Sequence, residues 1–201
     1  ELARLLDVAR ARPLCDAMRI RRGPRNGQLA AKVSDAERVR LEQLGRERRL
    51  MYFMMCTTGL RKGELGKMVA GDLHLDEGVP YVQVQGKNAK SGKTAQVPLK
   101  SDLVLELKVW LADKLLQYNR LALVEGRRDV AKRLPADTKV CNVPKGLVRI
   151  LNRDLKAAKI PKKDADGRTV DVHAMRGTFA TMLSRAGVSP RKAQDLLRHS
   201  S

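Results

Sequence analysis

An arginine and a glutamate three residues apart are the first candidates for chemistry in this sequence. In "CTTGLRKGEL", Arg61 follows the apolar run 50–56 and precedes Glu64. A guanidinium presents a fork of donors to an anion, and free backbone N–H groups at the start of a helix also favour negative charge. Glu64 lies one helical turn further on, where it can hold Arg61 by a hydrogen bond. An i, i+3 ion pair on a surface has the same spacing and contributes little stability, so this pair alone does not indicate a function.

A second arginine lies in the stretch "VHAMRGTFATMLSRAG". The apolar residues of this stretch recur at helical spacing and predict a buried stripe: Met175, Phe179, Met182, Leu183 and Ala186. His173 and Arg176 are i, i+3 neighbours, and we place them roughly opposite that stripe, on a face that small residues keep shallow. Such a face suits a large partner. An exposed histidine beside a solvated arginine is equally typical of this pattern.

Three lysines recur every third residue in the turn-rich stretch "GKNAKSGK": Lys87, Lys90 and Lys93. Ammonium groups on such a loop can follow a phosphate backbone, or one of them can donate a proton to a reacting oxygen. A plain surface turn has the same composition. In "LLRHSS", His199 lies at the end of the last predicted helix, where a histidine can also simply interact with the helix dipole.

The composition indicates a nucleic-acid partner. The 201 residues include 41 lysines and arginines against 22 acidic residues, which gives a net charge of +19. A surplus of this size attracts polyanions, and we favour nucleic acid over an acidic membrane surface, because no apolar run approaches the length of a membrane helix. The three cysteines are scattered without metal-ligand spacing, so neither a zinc site nor a disulfide framework is expected, and the chain fits a reducing cytosol.

The elements that would position these residues are mostly helical. The apolar periodicity and capping residues predict helices over about 1–11, 34–58, 61–69, 101–118, 145–158, 172–185 and from Ser189 onward. In the second helix we expect a solvated charged half over 38–49 and a buried half over 50–56, with Gly59 as the stop. Alternating residues predict strands near 81–85 and 95–99, joined by the lysine loop. Helices around a small antiparallel sheet give an α+β fold class.

The order of these motifs resembles the tyrosine recombinase family, the phage-type integrases. "TGLRKGEL", then the lysine hairpin ending in "VPL", then "HAMRGTFATMLSRAG", then "LLRHSS" carry the resemblance, which runs from about Ser34 to Ser201. It implies that residues 1–201 are the family's catalytic domain, a mostly helical fold with a three-stranded antiparallel sheet. Residues 12–33 look longer than the usual connection, and we interpret them as a basic insertion loop. The family's N-terminal DNA-clamping domain is expected to be absent from this sequence.

The resemblance also implies roles for individual residues. Arg61 and Arg176 become the arginines that clamp a scissile phosphate, supported by Glu64. His173 is the histidine of the HxxR motif, and His199 takes the later histidine position. Lys90 is the first choice for the lysine that protonates the leaving 5′-hydroxyl, with Lys87 second and Lys93 third. Further contacts to DNA are expected from three basic residues: Lys87, Lys93 and Arg198.

The activity that the resemblance implies is site-specific DNA recombination or integration through a 3′-phosphotyrosyl intermediate. A covalent intermediate conserves the phosphodiester bond energy without ATP, and two arginines can neutralise the developing charge without a metal ion or other cofactor. The expected partner is double-stranded DNA, with a homotetramer on DNA in the full-length protein and no membrane. The expected location is the cytoplasm of a prokaryote or phage host, at the nucleoid.

The nucleophile is the main departure from the family pattern. The family's tyrosine is expected about nine residues past His199, beyond Ser201. We interpret the tyrosines of this chain as packing residues: Tyr52, Tyr81 and Tyr118. These 201 residues are therefore expected to bind DNA without cleaving it. Two alternatives stay open, a non-catalytic DNA-binding module on the same scaffold and a topoisomerase of the phosphotyrosine type.

Overall fold

The computed structural model describes residues 1–88, 92–127 and 129–198. Helices and one small three-stranded antiparallel sheet make up the fold, so the predicted α+β class is confirmed. The chain divides into two compact units. The first comprises Glu1–Phe53 and Pro144–Ala174, and the second comprises Met54–Val143 and the chain from Met175 onward.

In the first unit, helix α1 is longer than the sequence predicted. It spans Leu2–Met18, so the non-helical connection expected from residue 12 begins at residue 19. Proline inside a helix removes a backbone hydrogen bond and costs about 3 kcal/mol. Pro13 nevertheless lies within α1, on the buried face of the helix with Leu5, Leu6 and Ala9.

A buried carboxylate links the helices of the first unit. Asp154, in α5 (Leu147–Ala157), has no exposed surface and accepts hydrogen bonds from Arg12, from Arg48 at 3.4 Å and from the Tyr52 hydroxyl at 2.7 Å. Burial and the adjacent carboxylate raise the pKa of Tyr52. Tyr52 is thus a packing residue, as predicted. The expectation that 38–49 is solvated is wrong at Arg48, which lies one turn before Tyr52 and points to the same carboxylate.

In the second unit, α2 ends at a glycine in the left-handed conformation. Helix α2 spans Asp35–Thr58 and ends as predicted at Gly59, which has φ +62°. A Cβ atom at Gly59 would lie 2.6 Å from Cδ1 of Phe179, so both the backbone conformation and the packing require glycine. Helix α3 follows over Lys62–Lys67, shorter than the predicted 61–69, because Val69 leaves the helix to pair with Lys139.

The sheet lies in the second unit and has the strand order β1-β2-β3. Strands β1 (Leu73–His74), β2 (Tyr81–Val84) and β3 (Ala95–Pro98) pair antiparallel, with Val82 opposite Val97. Val82 and Val97 are fully buried, as the alternation predicted. The lysine loop joins β2 to β3, so the predicted hairpin is confirmed.

The remaining helices are α4 (Ser101–Val124), α6 (Ala174–Arg185) and α7 (Pro190–Leu197). Helix α4 extends six residues past its predicted end at Tyr118, because Ala122 is buried and the left-handed turn comes only at Gly126, with φ +81°. Helix α7 begins with Pro190 after Ser189, as predicted. Among the described residues, no helix is both long and apolar enough to span a membrane.

Candidate functional site

Arg61 is held at the start of α3 by Glu64. The backbone N–H of Arg61 donates to Oε2 of Glu64 at 2.9 Å, and its Nη1 donates to Oε1 of the same carboxylate, also at 2.9 Å. Glu64 is buried, whereas the Arg61 side chain keeps 27% of its surface exposed. The predicted hydrogen bond between the two residues is therefore present. It leaves part of the guanidinium open to solvent and to a ligand.

Arg176 lies in the first turn of α6 and is buried, contrary to the prediction. Its Nη1 donates to the carbonyl oxygen of Gly59 at 2.6 Å, and only 5% of the residue is exposed. Arg176 and Phe179 are three residues apart, which corresponds to a rotation of about 300° around the helix axis. The two side chains are therefore only about 60° apart, and Arg176 borders the buried stripe instead of opposing it. The stripe itself is buried at Met175 and Phe179, whereas Ala186 is exposed.

Arg198 reaches the same carbonyl and the same carboxylate from the end of α7. Its Nη2 donates to the Gly59 oxygen at 2.8 Å and to Oε2 of Glu64 at 3.0 Å, and its Nη1 donates to the Leu196 carbonyl at 3.1 Å. Its side chain is 2% exposed. The sequence predicted Arg198 as a contact to DNA. The structure instead engages its guanidinium with the protein, and a contact to DNA stays a prediction.

We call Arg61, Arg176, Arg198, Glu64 and the Gly59 carbonyl the arginine cluster; all five belong to the second unit. Three guanidinium cations against one carboxylate leave a net charge of +2. Burial, and then the positive charges of Arg61 and Arg198, lower the pKa of Arg176 to about 10. Burial is also the main cause that lowers the pKa of Arg198. The excess positive charge in a largely buried site favours the binding of an anion.

Two donors of the cluster have no acceptor among the described residues. Arg176 Nη2 and Arg198 Nε are both buried and make no hydrogen bond to the described part of the chain. A buried donor without an acceptor costs about 1–3 kcal/mol, and more in a charged group. An anion with several oxygens would supply the missing acceptors. The arrangement can therefore bind a phosphate group and neutralise charge on its non-bridging oxygens.

The structure describes three of the other predicted site residues. His173 belongs to the first unit, is exposed, and lies in the turn before α6, where its backbone N–H donates to Oδ1 of Asp171 at 2.8 Å. Lys87 and Lys93 are exposed on the hairpin. Lys90 and His199 lie outside the described residues. The roles predicted for these residues stay predictions.

Residues 33–201 match the family described as the phage integrase family. The chain belongs to this family. Among its curated relatives, tyrosine recombinase XerC of Neisseria meningitidis serogroup C is 31% identical over 153 residues, which cover 75% of this chain and 43% of the relative. Tyrosine recombinase XerA of Pyrococcus furiosus is 30% identical over 153 residues, covering 76% and 46%. The chain thus spans less than half the length of these two relatives.

Solved structures of a site-specific recombinase and of a transposon integrase share the fold. The pre-cleavage complex of the XerH site-specific recombinase with difH substrate superposes with a TM-score of 0.58 at 19% identity, covering all of this chain and 46% of that one. The Tn1549 transposon integrase in complex with transposon right-end DNA gives a TM-score of 0.52 at 19% identity, covering 90% and 65%. The expected tyrosine-recombinase fold is confirmed.

The sequence did not predict two features of the cluster. These are the participation of the Gly59 carbonyl and the burial of Arg198. The carbonyl has no sequence signature of its own, since every residue carries one. Arg198 did leave a signal: a helix commonly ends on a left-handed residue, usually glycine, and "LLRHSS" offers none. Arg198 takes that left-handed conformation, with φ 55° and ψ 41°.

Proposed function

We propose that residues 1–201 form the catalytic domain of a site-specific DNA recombinase, which cuts and rejoins strands through a 3′-phosphotyrosyl intermediate without ATP or a metal ion. The arginine cluster carries the proposal. It is a largely buried site with a net charge of +2 and two donors that lack an acceptor among the described residues, Arg176 Nη2 and Arg198 Nε. Membership of the phage integrase family, and recombinase relatives such as XerC and XerA, support the same conclusion.

In this proposal, Arg61 and Arg176 hold the scissile phosphate. Arg61 approaches it from the exposed side of the cluster, where Glu64 fixes the guanidinium, and Arg176 donates from the buried side through Nη2. Both groups are in place before the reaction, so they stabilise the charge that develops on the non-bridging oxygens with little reorganisation. This accounts for an arginine at the point where the chain leaves the buried end of α2.

Proton transfer is assigned to residues outside the cluster. Lys90 donates a proton to the leaving 5′-hydroxyl, with Lys87 and then Lys93 as the next choices. His173 and His199 handle the proton at the nucleophile. The exposure of Lys87, Lys93 and His173 is compatible with contact to a large partner, and the family pattern supports the assignment of roles.

The proposed partner is double-stranded DNA. The net charge of +19 supports it, as do structural neighbours solved with difH substrate and with transposon right-end DNA. A homotetramer on DNA, a location at the nucleoid in the cytoplasm and the absence of a membrane partner belong to the same proposal and follow the family pattern.

A covalent-adduct assay tests the proposed reaction. The chain is extended past Ser201 to the expected tyrosine and incubated with a nicked duplex target in EDTA. Denaturing gel electrophoresis should then show a protein–DNA adduct. Arg61→Ala and Arg176→Ala should each reduce adduct formation at least about a hundredfold, the scale of losing one preorganised donor to a developing oxyanion. Arg191→Ala, an exposed arginine in α7, is the matched control and should leave the adduct yield unchanged.

The same assay separates the alternatives. DNA binding with no adduct from the extended chain assigns a non-catalytic module. Relaxation of supercoiled DNA without exchange between two defined sites assigns a topoisomerase. Adduct formation that survives both Arg61→Ala and Arg176→Ala contradicts the roles given to these two arginines.

A further inference from the structure

Arg198 adopts a backbone conformation that few residues other than glycine accept. With φ 55° and ψ 41° it is one of two non-glycine residues in the described chain with positive φ. Left-handed conformations persist in bulky residues only where surrounding contacts hold them, and they concentrate at functional sites. Here three hydrogen bonds hold the side chain, to the oxygens of Gly59, Glu64 and Leu196. A glycine would satisfy the backbone but would leave the cluster without its third cation.

The third cation changes the charge that the cluster presents. With Arg61 and Arg176 against Glu64, the net charge would be +1, and Arg198 raises it to +2. A phosphodiester carries one negative charge. When an oxygen nucleophile adds without its proton, the phosphorus group gains a second negative charge before the leaving oxygen is protonated. A site of charge +2 therefore matches the reacting group better than it matches the resting diester.

We propose that Arg198 is a positioning residue that tunes the arginine cluster to bind a doubly charged phosphate in preference to a singly charged phosphodiester. It acts through its charge and through Glu64, whose Oε2 it shares with the backbone N–H of Arg61 while Oε1 receives the Arg61 guanidinium. The link to catalysis depends on the proposed function. The preference for a dianion is a property of the cluster itself and is measured separately.

The test compares two small anions on this chain at constant ionic strength and pH 8. Dimethyl phosphate is a singly charged diester, and inorganic phosphate is mostly doubly charged at that pH. Binding is followed by NMR through the assigned Nε–H signals of Arg61 and Arg176, which belong to the cluster, so that binding elsewhere on the surface is not counted. The wild-type chain should bind phosphate about tenfold more tightly than dimethyl phosphate, as expected for one additional charge interaction in a partly buried site.

Two variants and a control isolate the contribution of Arg198. Arg198→Gly keeps the left-handed turn and should reduce the preference to about twofold. Arg198→Lys keeps the charge and should retain most of the preference, which a purely structural role does not predict. Arg191→Ala removes the same net charge at an exposed position of α7 and should leave the preference unchanged.

The outcomes separate this inference from the proposed function. An unchanged preference in Arg198→Gly, or a lost preference in folded Arg198→Lys, overturns the tuning role while the phosphate site stands. Arg61→Ala should weaken binding of both anions. If the wild-type chain binds neither anion, both the inference and the phosphate site are overturned. If Arg198→Gly fails to fold, Arg198→Lys by itself decides the inference.

Discussion

At the scale of single residues, Glu64 is the centre of the arginine cluster. One oxygen accepts from the Arg61 guanidinium, and the other accepts from the Arg61 backbone N–H and from Arg198. The spacing of Arg61 and Glu64 predicted the contact between these two residues. The contact between Glu64 and Arg198 joins residues 134 positions apart, and no local sequence pattern predicts it.

Replacing the Glu64 carboxylate should destabilise the fold strongly. Glu64→Gln leaves three buried or half-buried guanidinium groups without a counter-charge, so we expect a loss of about 3 kcal/mol in the free energy of unfolding. Urea denaturation monitored by circular dichroism measures it. Added phosphate should recover part of the loss, because the anion replaces the missing charge.

The matched control is Glu42→Gln, at an exposed position of α2, which should change stability by less than about 0.5 kcal/mol. Equal losses in the two variants, or no recovery with phosphate, would contradict the view of Glu64 as the counter-charge of the cluster.

At the scale of elements, the sequence predicted helix starts and stops best where a cap or a glycine marks them. Helix α2 begins after Ser34, which accepts a hydrogen bond from the backbone N–H of Glu37, and it ends at Gly59 as predicted. The errors fall where burial outweighs a local signal. Helix α1 continues past Pro13, which is itself buried, and α4 continues past Tyr118 to the buried Ala122.

Gly59 gives a prediction for the junction of α2 with the cluster. Gly59→Ala should cost about 2–4 kcal/mol of unfolding free energy, since alanine is strained at φ +62° and its methyl group would overlap Phe179. The Gly59 carbonyl accepts from Arg176 and Arg198, so phosphate binding should weaken as well.

Gly63→Ala is the control for this substitution. Gly63 lies within α3, and a methyl group added there would meet nothing within 4 Å beyond the adjacent backbone of its own helix. Alanine should therefore be neutral or should stabilise by up to about 1 kcal/mol. Thermal denaturation compares the two. Similar melting temperatures for both variants would refute the special requirement at Gly59.

The buried carboxylate of the first unit leads to a separate prediction. Asp154→Asn leaves Arg12 and Arg48 without a full counter-charge in a site with no exposure, and should cost about 3–5 kcal/mol. Asp16→Asn removes the other, 43% exposed partner of Arg12 and should cost less than about 1 kcal/mol. Chemical denaturation distinguishes the two. Equal costs would show that Asp154 does not link the helices of this unit.

At the scale of the whole molecule, the net charge of +19 is the property most directly tied to a partner. Binding of a short duplex should weaken steeply with salt, with a slope of log affinity against log salt of about −5 to −9, the range for 6–10 phosphate contacts. Fluorescence anisotropy at several salt concentrations measures it. Lys87→Ala and Lys93→Ala should each reduce the slope by about 1.

The control for the lysines is Lys32→Ala, which changes the net charge equally at a position outside the hairpin. Lys32→Ala should lower the affinity, but it should not reduce the salt slope as the two hairpin substitutions do. A flat salt dependence of the wild-type chain would contradict a surface that follows the DNA backbone.

Local sequence signals were sufficient to predict the fold class, the hairpin, the stop at Gly59 and the pairing of Arg61 with Glu64. These features depend on residues near each other in the chain, and periodicity and capping report such neighbours directly. The burial of Arg176 and Arg198 is visible only in the folded chain, where both donate to the Gly59 carbonyl. Arg198 also shares the Glu64 carboxylate with Arg61 there. Helical periodicity predicts which face of a helix turns inward. It does not tell which distant acceptor lies beneath that face, and the acceptor determines whether a buried guanidinium is stable there.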